Sequence, residues 1–386
     1  MEEVVNQIDL NIDKSNWKLV KFGDVAFEPK EVCKDIQEEK IEHVVGLEHI
    51  DSGDIHLRKS ATIEEATTFT KRFRKGDVLF GRRRAYLKKA AQAEFDGICS
   101  GDITVFRAKK ELLPELLPFI VHNEKFFDYA IKHSAGGLSP RVKFKDLANY
   151  EFLLPPKSEQ ARLAELLWAM DEVIEREREV LERLECLLES IENETFTNKR
   201  YKKLSSAIVK TLSGGTPDTK EVQFYKDGNI PWLTTKILEG DFIENGEKLI
   251  STDAIKLSAA KVLPKGNILA GTRVGVGKFS INLVDMSFSQ DVTGLLVNND
   301  VVDVEFLVYQ LNSNWFGKML SPRLRGTTIK GVLKDDLLNM KIHFPTIDEQ
   351  VIIREKLKQM KASISKTRIK TFNSQSLQKS LINQIF

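Results

Sequence analysis

Apolar residues recur on steps of three and four along one stretch of this chain, at Leu163, Leu167, Met170, Ile174, Leu181, Leu184, Leu188 and Ile191, with Glu177 the one break in the stripe. That period predicts an amphipathic helix with a coiled-coil seam over about Glu159 to Asn198. At 1.5 Å per residue it would be roughly 60 Å long, more than a small globule needs for its own packing. A second helix is predicted from Ile347 onward, with Ile353, Leu357, Met360 and Ile364 in the same phase. Pro155-Pro156 and Pro345 announce the two helices, with Ser158 and Thr346 available as caps. The remaining segments, about residues 17 to 156 and 201 to 346, alternate short β-branched and aromatic runs such as Gly101 to Phe106 and Gly294 to Val297 with Gly, Asn and Asp turns. Helical pieces such as Leu116 to His133 interrupt them, so each segment is expected to be a mixed α/β globule.

The second half restates the first at an offset of about 190 residues. Lys75-Gly-Asp-Val-Leu-Phe-Gly81 returns as Lys265-Gly-Asn-Ile-Leu-Ala-Gly271, and Arg83 falls on Arg273. Ser100-Gly-Asp-Ile-Thr104 matches Ser289-Gln-Asp-Val-Thr293, and Gly136, Val142, Asp146 and Leu147 match Gly326, Val332, Asp336 and Leu337. Pro155, Glu159 and Gln160 match Pro345, Glu349 and Gln350, and the register then continues into both helices. Chance similarity of two turn-rich segments would not hold one register through loops, strands and a helix. The expected fold class is therefore α/β (α+β), with two pseudo-symmetric globules separated by two long antiparallel coiled-coil helices. The expected boundaries are 1–156, 157–200, 201–346 and 347–386.

Charge changes this picture by pairing the helices. Ser158 to Glu194 carries twelve acidic and four basic residues, whereas Ile347 to Phe386 carries three acidic and eight basic. Opposite charge and matching apolar phase suit an antiparallel pair within one chain. The first globule lacks a preceding helix of its own, so Met1 to Asn16 is expected to pack near the C-terminal helix. Two surface helices, each packed on its own globule, would instead leave a long apolar seam partly bare.

With 386 residues, 41% hydrophobic and 30% charged, the chain is long enough for more than one core and too apolar for a disordered tail. Its start, MEEVVNQIDLNIDKS, lacks the basic and apolar regions of a signal peptide, and no stretch of some twenty apolar residues follows. A soluble, cytoplasmic protein without membrane contact is expected. Cys33, Cys99 and Cys186 are far apart and odd in number, which offers neither a disulfide framework nor zinc-ligand spacing and predicts ordinary core residues.

Net charge is only +2, yet Lys71 to Ala91 holds nine basic residues against Asp77 alone. A solvated face is the bland account of such a run, and phosphate contact the functional one. The candidates there are Lys71, Arg72, Arg74, Arg82, Arg83, Arg84, Tyr86 and Lys88, since arginines at a turn can fork onto guanine edges or clamp phosphates and a tyrosine can pack on sugar or base. The matched loop of the second half offers Thr272, Arg273 and Lys278. Two later Gly-containing loops add Ser139, Arg141 and Lys143 in the first half and Arg323, Arg325, Thr327, Thr328 and Lys330 in the second. These assignments are regional. A pseudo-dimer of two unlike readers predicts a bipartite, asymmetric DNA site with a spacer set by the helices.

Leu147-Ala-Asn-Tyr-Glu-Phe-Leu-Leu-Pro-Pro-Lys-Ser-Glu-Gln160, repeated as Leu337-Leu-Asn-Met-Lys-Ile-His-Phe-Pro-Thr-Ile-Asp-Glu-Gln350, resembles the junction between target-recognition domain and conserved helix in type I restriction-modification specificity subunits. Gly81-Arg-Arg-Arg-Ala-Tyr-Leu87 with Ile98-Cys-Ser100, and Gly326-Thr-Thr-Ile-Lys-Gly331, are similar to the family's patterns as well. The resemblance covers essentially the whole chain. It implies a non-catalytic DNA-recognition subunit that binds double-stranded DNA, two methyltransferase subunits and, for cleavage, restriction/motor subunits. It also implies no cofactor in this chain, the partner methyltransferase using S-adenosylmethionine to methylate flipped adenine. Ala135-Gly-Gly-Leu-Ser-Pro-Arg141 departs from the Gly-Thr-Thr-Ile version of its loop, which leaves equivalent contacts in the two domains in doubt.

Rival chemistry is absent from the motifs. Leu154-Pro-Pro-Lys157 lacks the amide and aromatic of an aminomethyltransferase tetrad, and Gly271 to Lys278 fails the P-loop spacing and reads as a turn. Glu38-Glu-Lys40 lacks the paired acid of a nuclease site, and the six histidines form no metal-ligand cluster in sequence. The alternatives left open are the specificity subunit of a type II system that cuts on both sides of its site, a non-DNA coiled-coil interaction scaffold, and a nuclease with an unfamiliar site.

Overall fold

A computed structural model describes residues 12–63, 68–197, 200–327 and 329–386. Two long helices stand out, α1 over Lys157–Phe196 and α2 over Ile347–Ile385. The chain divides into two compact units that cut through both helices. The first runs through Arg178 and takes in Ile369–Phe386, and the second is Glu179–Arg368. Each unit therefore comprises a globule, part of α1 and part of α2.

In the first unit, strand β1 (Val78–Gly81) lies between β2 (Ala90–Gln92) and β3 (Ile103–Ala108), both antiparallel to it. In the second, β4 (Ile268–Gly271) lies in the same way between β5 (Phe279–Asn282) and β6 (Val292–Val297). Val78–Gly81 and Ile268–Gly271 are buried along their whole length, which is why both read as continuous apolar runs. Each unit also has a smaller sheet with one parallel pair, Val44–Val45 with Gly97–Cys99 and Ile230–Leu233 with Met286–Phe288. The strand that opens each globule pairs with the strand that leads into a long helix, Lys18–Lys21 with Glu151–Leu154 and Tyr201–Lys203 with Lys341–His343.

Three local expectations differ from the structure. Leu116 to His133 is not one helix: Leu117–Val121 ends before Asn123, and Glu124–Lys132 starts anew. The Asn123 backbone is extended and its side chain accepts from Lys125 N at 2.8 Å, so a strong cap interrupts the run. Ser158 lies inside the first turn of α1, with Pro156 O accepting from Gln160 N at 2.9 Å, whereas Thr346 stands just outside α2 and its N–H and hydroxyl donate to Glu349 at 2.9 and 2.8 Å. Cys33 and Cys99 are core residues as expected, but Cys186 is exposed on α1.

The repeated Glu-Gln pair anchors each helix to its globule. Gln160, 1% exposed, accepts from Leu113 N at 2.8 Å and donates to Glu111 O and Pro155 O at 3.1 and 3.0 Å. Gln350, fully buried, accepts from Asp303 N at 2.8 Å and donates to Val301 O and Pro345 O at 3.3 and 2.9 Å. The preceding glutamates add Trp17 Nε1 to Glu159 at 2.7 Å in one unit and a two-pronged Arg200 to Glu349 pair at 2.7 and 2.9 Å in the other.

Within the first unit the helices run antiparallel, since Asp171 neighbours Gln378 while Glu177 lies 3.2 Å from Lys370. The break in the apolar stripe is thus a buried acid facing a lysine, and it carries the helices' opposite charge into the seam. In the second unit Glu185 and Arg368 pair at 2.6 Å. The seam residues also enter the globules. Leu167 belongs to the first core with Leu163 and Met170 against it, Ile174 is buried, and Leu357 belongs to the second core with Leu188, Ile191 and Ile353 against it. Leu181, Leu184 and Met360 are half-buried, and Ile364 is buried.

The far end of α2 completes the first core. Leu381, Ile382, Ile385 and Phe386 are buried with Phe22, Phe126 and Phe152, and Asn123 Nδ2 donates to Ile382 O at 3.2 Å. Of the N-terminal segment expected near that helix, residues 1–11 lie outside the described residues. Lys14 Nζ donates to Gln384 O at 2.7 Å, and Ile12 packs on the same core.

A polar hinge point joins the first globule to α1. His56 Nε2 lies 2.7 Å from Asp171 and Nδ1 lies 3.0 Å from Glu94, while Arg58 meets Glu175 at 2.7 Å and Arg178 meets Asp54 at 3.1 Å. The hydrogen bond to Asp171 outweighs burial and pushes the His56 pKa up to about 9. In the second unit Asp241 of the globule lies 2.9 Å from Lys361 of α2 and Lys318 of the globule lies 3.2 Å from Glu189 of α1.

Two predictions follow from these anchors. Gln160→Ala removes three hydrogen bonds and leaves the buried Pro155 carbonyl without this partner, and should destabilise the first unit by about 1–3 kcal/mol while leaving the second unchanged. Hydrogen exchange resolved by unit measures this, and equal protection in wild type and variant would refute the anchoring role. Because the folded pKa of His56 is raised, its contribution is complete below the ordinary value of 6.5 and is lost as pH rises through about 9. Thermal melts of the first unit should fall across that window in wild type and flatten in His56→Gln, and parallel curves would disprove the assignment.

Candidate nucleic-acid interface

The basic run Lys71 to Ala91 separates into two environments. Lys71 sits in a strand with Nζ on Ile103 O at 2.7 Å and on Glu28 at 3.1 Å, Arg72 pairs with Glu39, and Arg74 pairs with Glu31 at 2.9 Å. These cations are held by acids of their own globule. Asp77, the lone acid of the run, is 2% exposed and takes a two-pronged bond from Arg107 at 2.7 and 2.8 Å. The second group, Arg82 to Lys88, lies on the turn at the end of β1. Arg84 and Lys88 adopt left-handed backbone with φ of 54° and 49°, which presses the turn into a tight 3-10 loop. Arg84 and Tyr86 are exposed, Arg82 and Arg83 half-buried, and Lys88 pairs with Glu124.

A second loop folds onto this turn. Arg83 and Ala135 both form β-bridges with Arg141, so residues 134–141 make a small hairpin against the end of β1. Arg84 N donates to Pro140 O at 2.8 Å and Val142 N donates to Arg82 O at 3.0 Å. The second unit builds the same device, with Arg273 and Arg325 both bridged to Gly331. Gly136 and Gly326 occupy matching positions at φ of 121° and 102°, a region closed to side chains, and a Cβ on Gly326 would meet Ile329 O at 2.2 Å. The departure of Ala135-Gly-Gly-Leu-Ser-Pro-Arg141 from the other copy therefore leaves the backbone bridges intact and changes which positions carry arginine.

The charged groups differ accordingly. In the first unit Asp102 accepts from Arg141 Nε at 2.8 Å and from Arg83 Nη1 at 3.1 Å, and Ser139 Oγ accepts from Arg83 Nη2 at 3.1 Å. Burial, which would raise the Asp102 pKa, is outweighed by these arginines, so its carboxyl lies below the ordinary value. Lys143 is exposed beside them. In the second unit Thr272 and Arg273 N both donate to Asp291 O at 3.0 and 3.1 Å, and Thr272 is itself buried, its hydroxyl 3.1 Å from that of Thr293. Arg325 pairs with Asp336 at 2.8 Å, Lys278 with Glu239 at 3.3 Å, and Arg323 donates to Met319 O. Arg273, Thr327 and Lys330 are exposed, and Thr328 lies outside the described residues. Thr272, Arg273 and Arg325 line a cleft of about 850 Å³ with Gln290 and Asp291.

Sequence reasoning found the loops and missed the acids that organise them. Asp102 was visible only as a matched member of the repeat with Asp291, because nothing local marks a turn aspartate as the partner of an arginine about 40 residues on. Among the described residues one group, His56, Asp171 and Glu175, has the donor spacing of a metal site, and its atoms already serve the ion pairs that hold the first globule to α1.

Two copies of one α/β unit, each presenting a glycine-turned hairpin and an arginine-bearing strand end, define a tandem recognition protein. The model of the type I restriction modification DNA specificity domain matches residues 14–186 and again 200–373, and the chain belongs to that family. The chain is 30% identical over 146 residues to the type I restriction enzyme MjaIX specificity subunit of Methanocaldococcus jannaschii, an alignment covering 37% of this chain and 33% of the relative. With the MjaVIII specificity subunit of the same organism it is 24% identical over 319 residues, 74% of this chain and 73% of the relative. The chain thus spans a third of one curated relative and nearly three quarters of the other. A solved structure from work on complex assembly and conformational transition of the type I R-M system shares its fold at a TM-score of 0.59, with 23% identity and 96% of each chain covered. Among the described residues no helix is long and apolar enough to cross a membrane.

The division of the basic run generates a prediction. Arg84→Ala and Tyr86→Ala should leave the unfolding midpoint of the first unit unchanged, whereas Lys71→Ala should lower it by several degrees through loss of a half-buried ion pair and hydrogen bond. Differential scanning calorimetry decides this, and an equal loss in all three variants would show the exposed turn to be a structural element.

Proposed function

We propose that this chain is the DNA-recognition subunit of a type I restriction-modification enzyme, reading a bipartite, asymmetric site in double-stranded DNA with one half-site per unit. The observation that carries the reading is the recurrence of one backbone device, the hairpin bridged to a strand end, with arginine at positions 83 and 141 in one copy and 273 and 325 in the other. A shared frame with different side chains is what two readers of different half-sites require. Direct enzymology is not part of this role. Adenine methylation by partner subunits using S-adenosylmethionine, and cleavage by motor-nuclease subunits, would be directed by the site that this chain selects. The long helices would set the spacer and offer docking surface. On α1, Leu166 and Val173 in the first unit and Val180 and Leu187 in the second are exposed apolar residues at seven-residue spacing, suited to a partner helix. Family membership favours this role over a peptide-binding scaffold. A two-sided type II cutter would differ in its partners rather than in this chain.

Co-expression with a type I methyltransferase subunit from the same genome, in a host without modification, tests the proposal by mapping methyladenine across the host genome. The expected result is one split, asymmetric motif in which exchange of residues 82–88 and 134–141 alters one half alone. Binding of the complex to duplexes containing the motif should weaken steeply with salt, as counterion release demands. A verified complex supplied with cofactor that leaves the DNA unmodified would remove the specificity role.

A further inference from the structure

Asp102 holds two arginines that arrive from different loops. Its two carboxylate oxygens are divided between them, Oδ1 to Arg141 and Oδ2 to Arg83. Arg83 and Arg141 stay 38% and 47% exposed in their side chains and Asp102 21%, so the cluster meets solvent more through its arginines than through its acid, Arg83 Nε itself being buried. One carboxylate against two guanidiniums leaves a net single positive charge. Fixing is the stronger effect: Arg83 is tied through Nη1 to Asp102 and through Nη2 to Ser139, and Arg141 through Nε, which leaves the Arg141 Nη groups without a partner among the described residues.

This arrangement is poorly matched to a phosphate clamp. A carboxylate one hydrogen bond from each cation would repel the phosphate and cancel part of the attraction, and a clamp gains little from fixed direction. Guanine presents two acceptors, O6 and N7, at fixed spacing in the major groove and no net charge, so a buttressed guanidinium gains direction there without paying repulsion. The second unit lacks the device. Gly331 stands where Arg141 does, and Arg325 is held by Asp336 from another side.

We infer that Asp102 is a specificity-determining positioning residue, which aims Arg83 and Arg141 at guanine within the half-site read by the first unit. The inference rests on the DNA-reading role proposed above. Its test uses the same methyltransferase complex and compares Asp102→Asn and Arg141→Lys with wild type by methylation mapping and by duplex binding at several salt concentrations. In Asp102→Asn, discrimination for guanine should fall by about tenfold at one or two positions of a single half-site. The other half should be unchanged, and the salt slope should steepen by about one as a released arginine turns to phosphate. Arg141→Lys keeps the charge and loses the planar fork, so it should relax the same positions without steepening the slope. A motif left intact in Asp102→Asn, with binding to all sequences raised together, would identify a phosphate clamp and overturn the inference while the DNA-reading role stands. If Asp102→Asn fails to fold, Arg141→Lys decides the matter, since an unrelaxed motif in that variant overturns the inference equally. Absence of any motif with the wild-type complex would instead overturn the DNA-reading role, and this inference with it.

Discussion

Each half of this protein depends on one buried glutamine. Gln160 and Gln350 lie within the first turn of their helices, and each binds three backbone groups. A buried amide with all its principal partners in place costs nothing and fixes direction, whereas the same groups unpaired would be a heavy penalty. Through these bonds the course of a helix of about forty residues is set by a loop of the globule that precedes it. The small sheet formed by the first and last strands of each globule then brings the chain back to that point.

Around this anchor, charge does the sorting. The acidic first helix meets cations, His56 of the first globule and Lys370 of the basic helix, while the basic second helix offers Lys361 to Asp241 and Lys379 to Glu124. Both globules carry docking groups of both signs, Lys318 meeting Glu189 of the first helix in the second unit and Glu124 meeting Lys379 of the second helix in the first. Ile385 and Phe386, at the far end of α2, are core residues of the first unit, so its core draws on segments that lie on both sides of the second unit in sequence.

The recognition surfaces show how a duplicated frame acquires two specificities. Backbone bridges and positive-φ glycines are common to both copies, and they hold loops whose side chains are free to differ. In one copy an aspartate organises two arginines through its carboxylate, and in the other the matched aspartate accepts through its carbonyl from two backbone N–H groups and the Thr272 hydroxyl. Differences of this kind alter what is read without altering how the reader is built.

By itself the sequence determined the duplication, the two helices and the loops that carry arginine, because each is written in local period, repeated order or clustered charge. Leu163, Leu167 and Ile174 announced the seam, and the Glu-Gln repeat announced a junction. What only the tertiary structure decided is which partner each group meets. Nothing local tells that Lys71 serves Glu28 while Arg84 faces solvent, that Cys186 is exposed, or that Asp102 joins residues 83 and 141. Those outcomes turn on contacts between residues far apart in sequence, and charge alone has no direction until a fold supplies one.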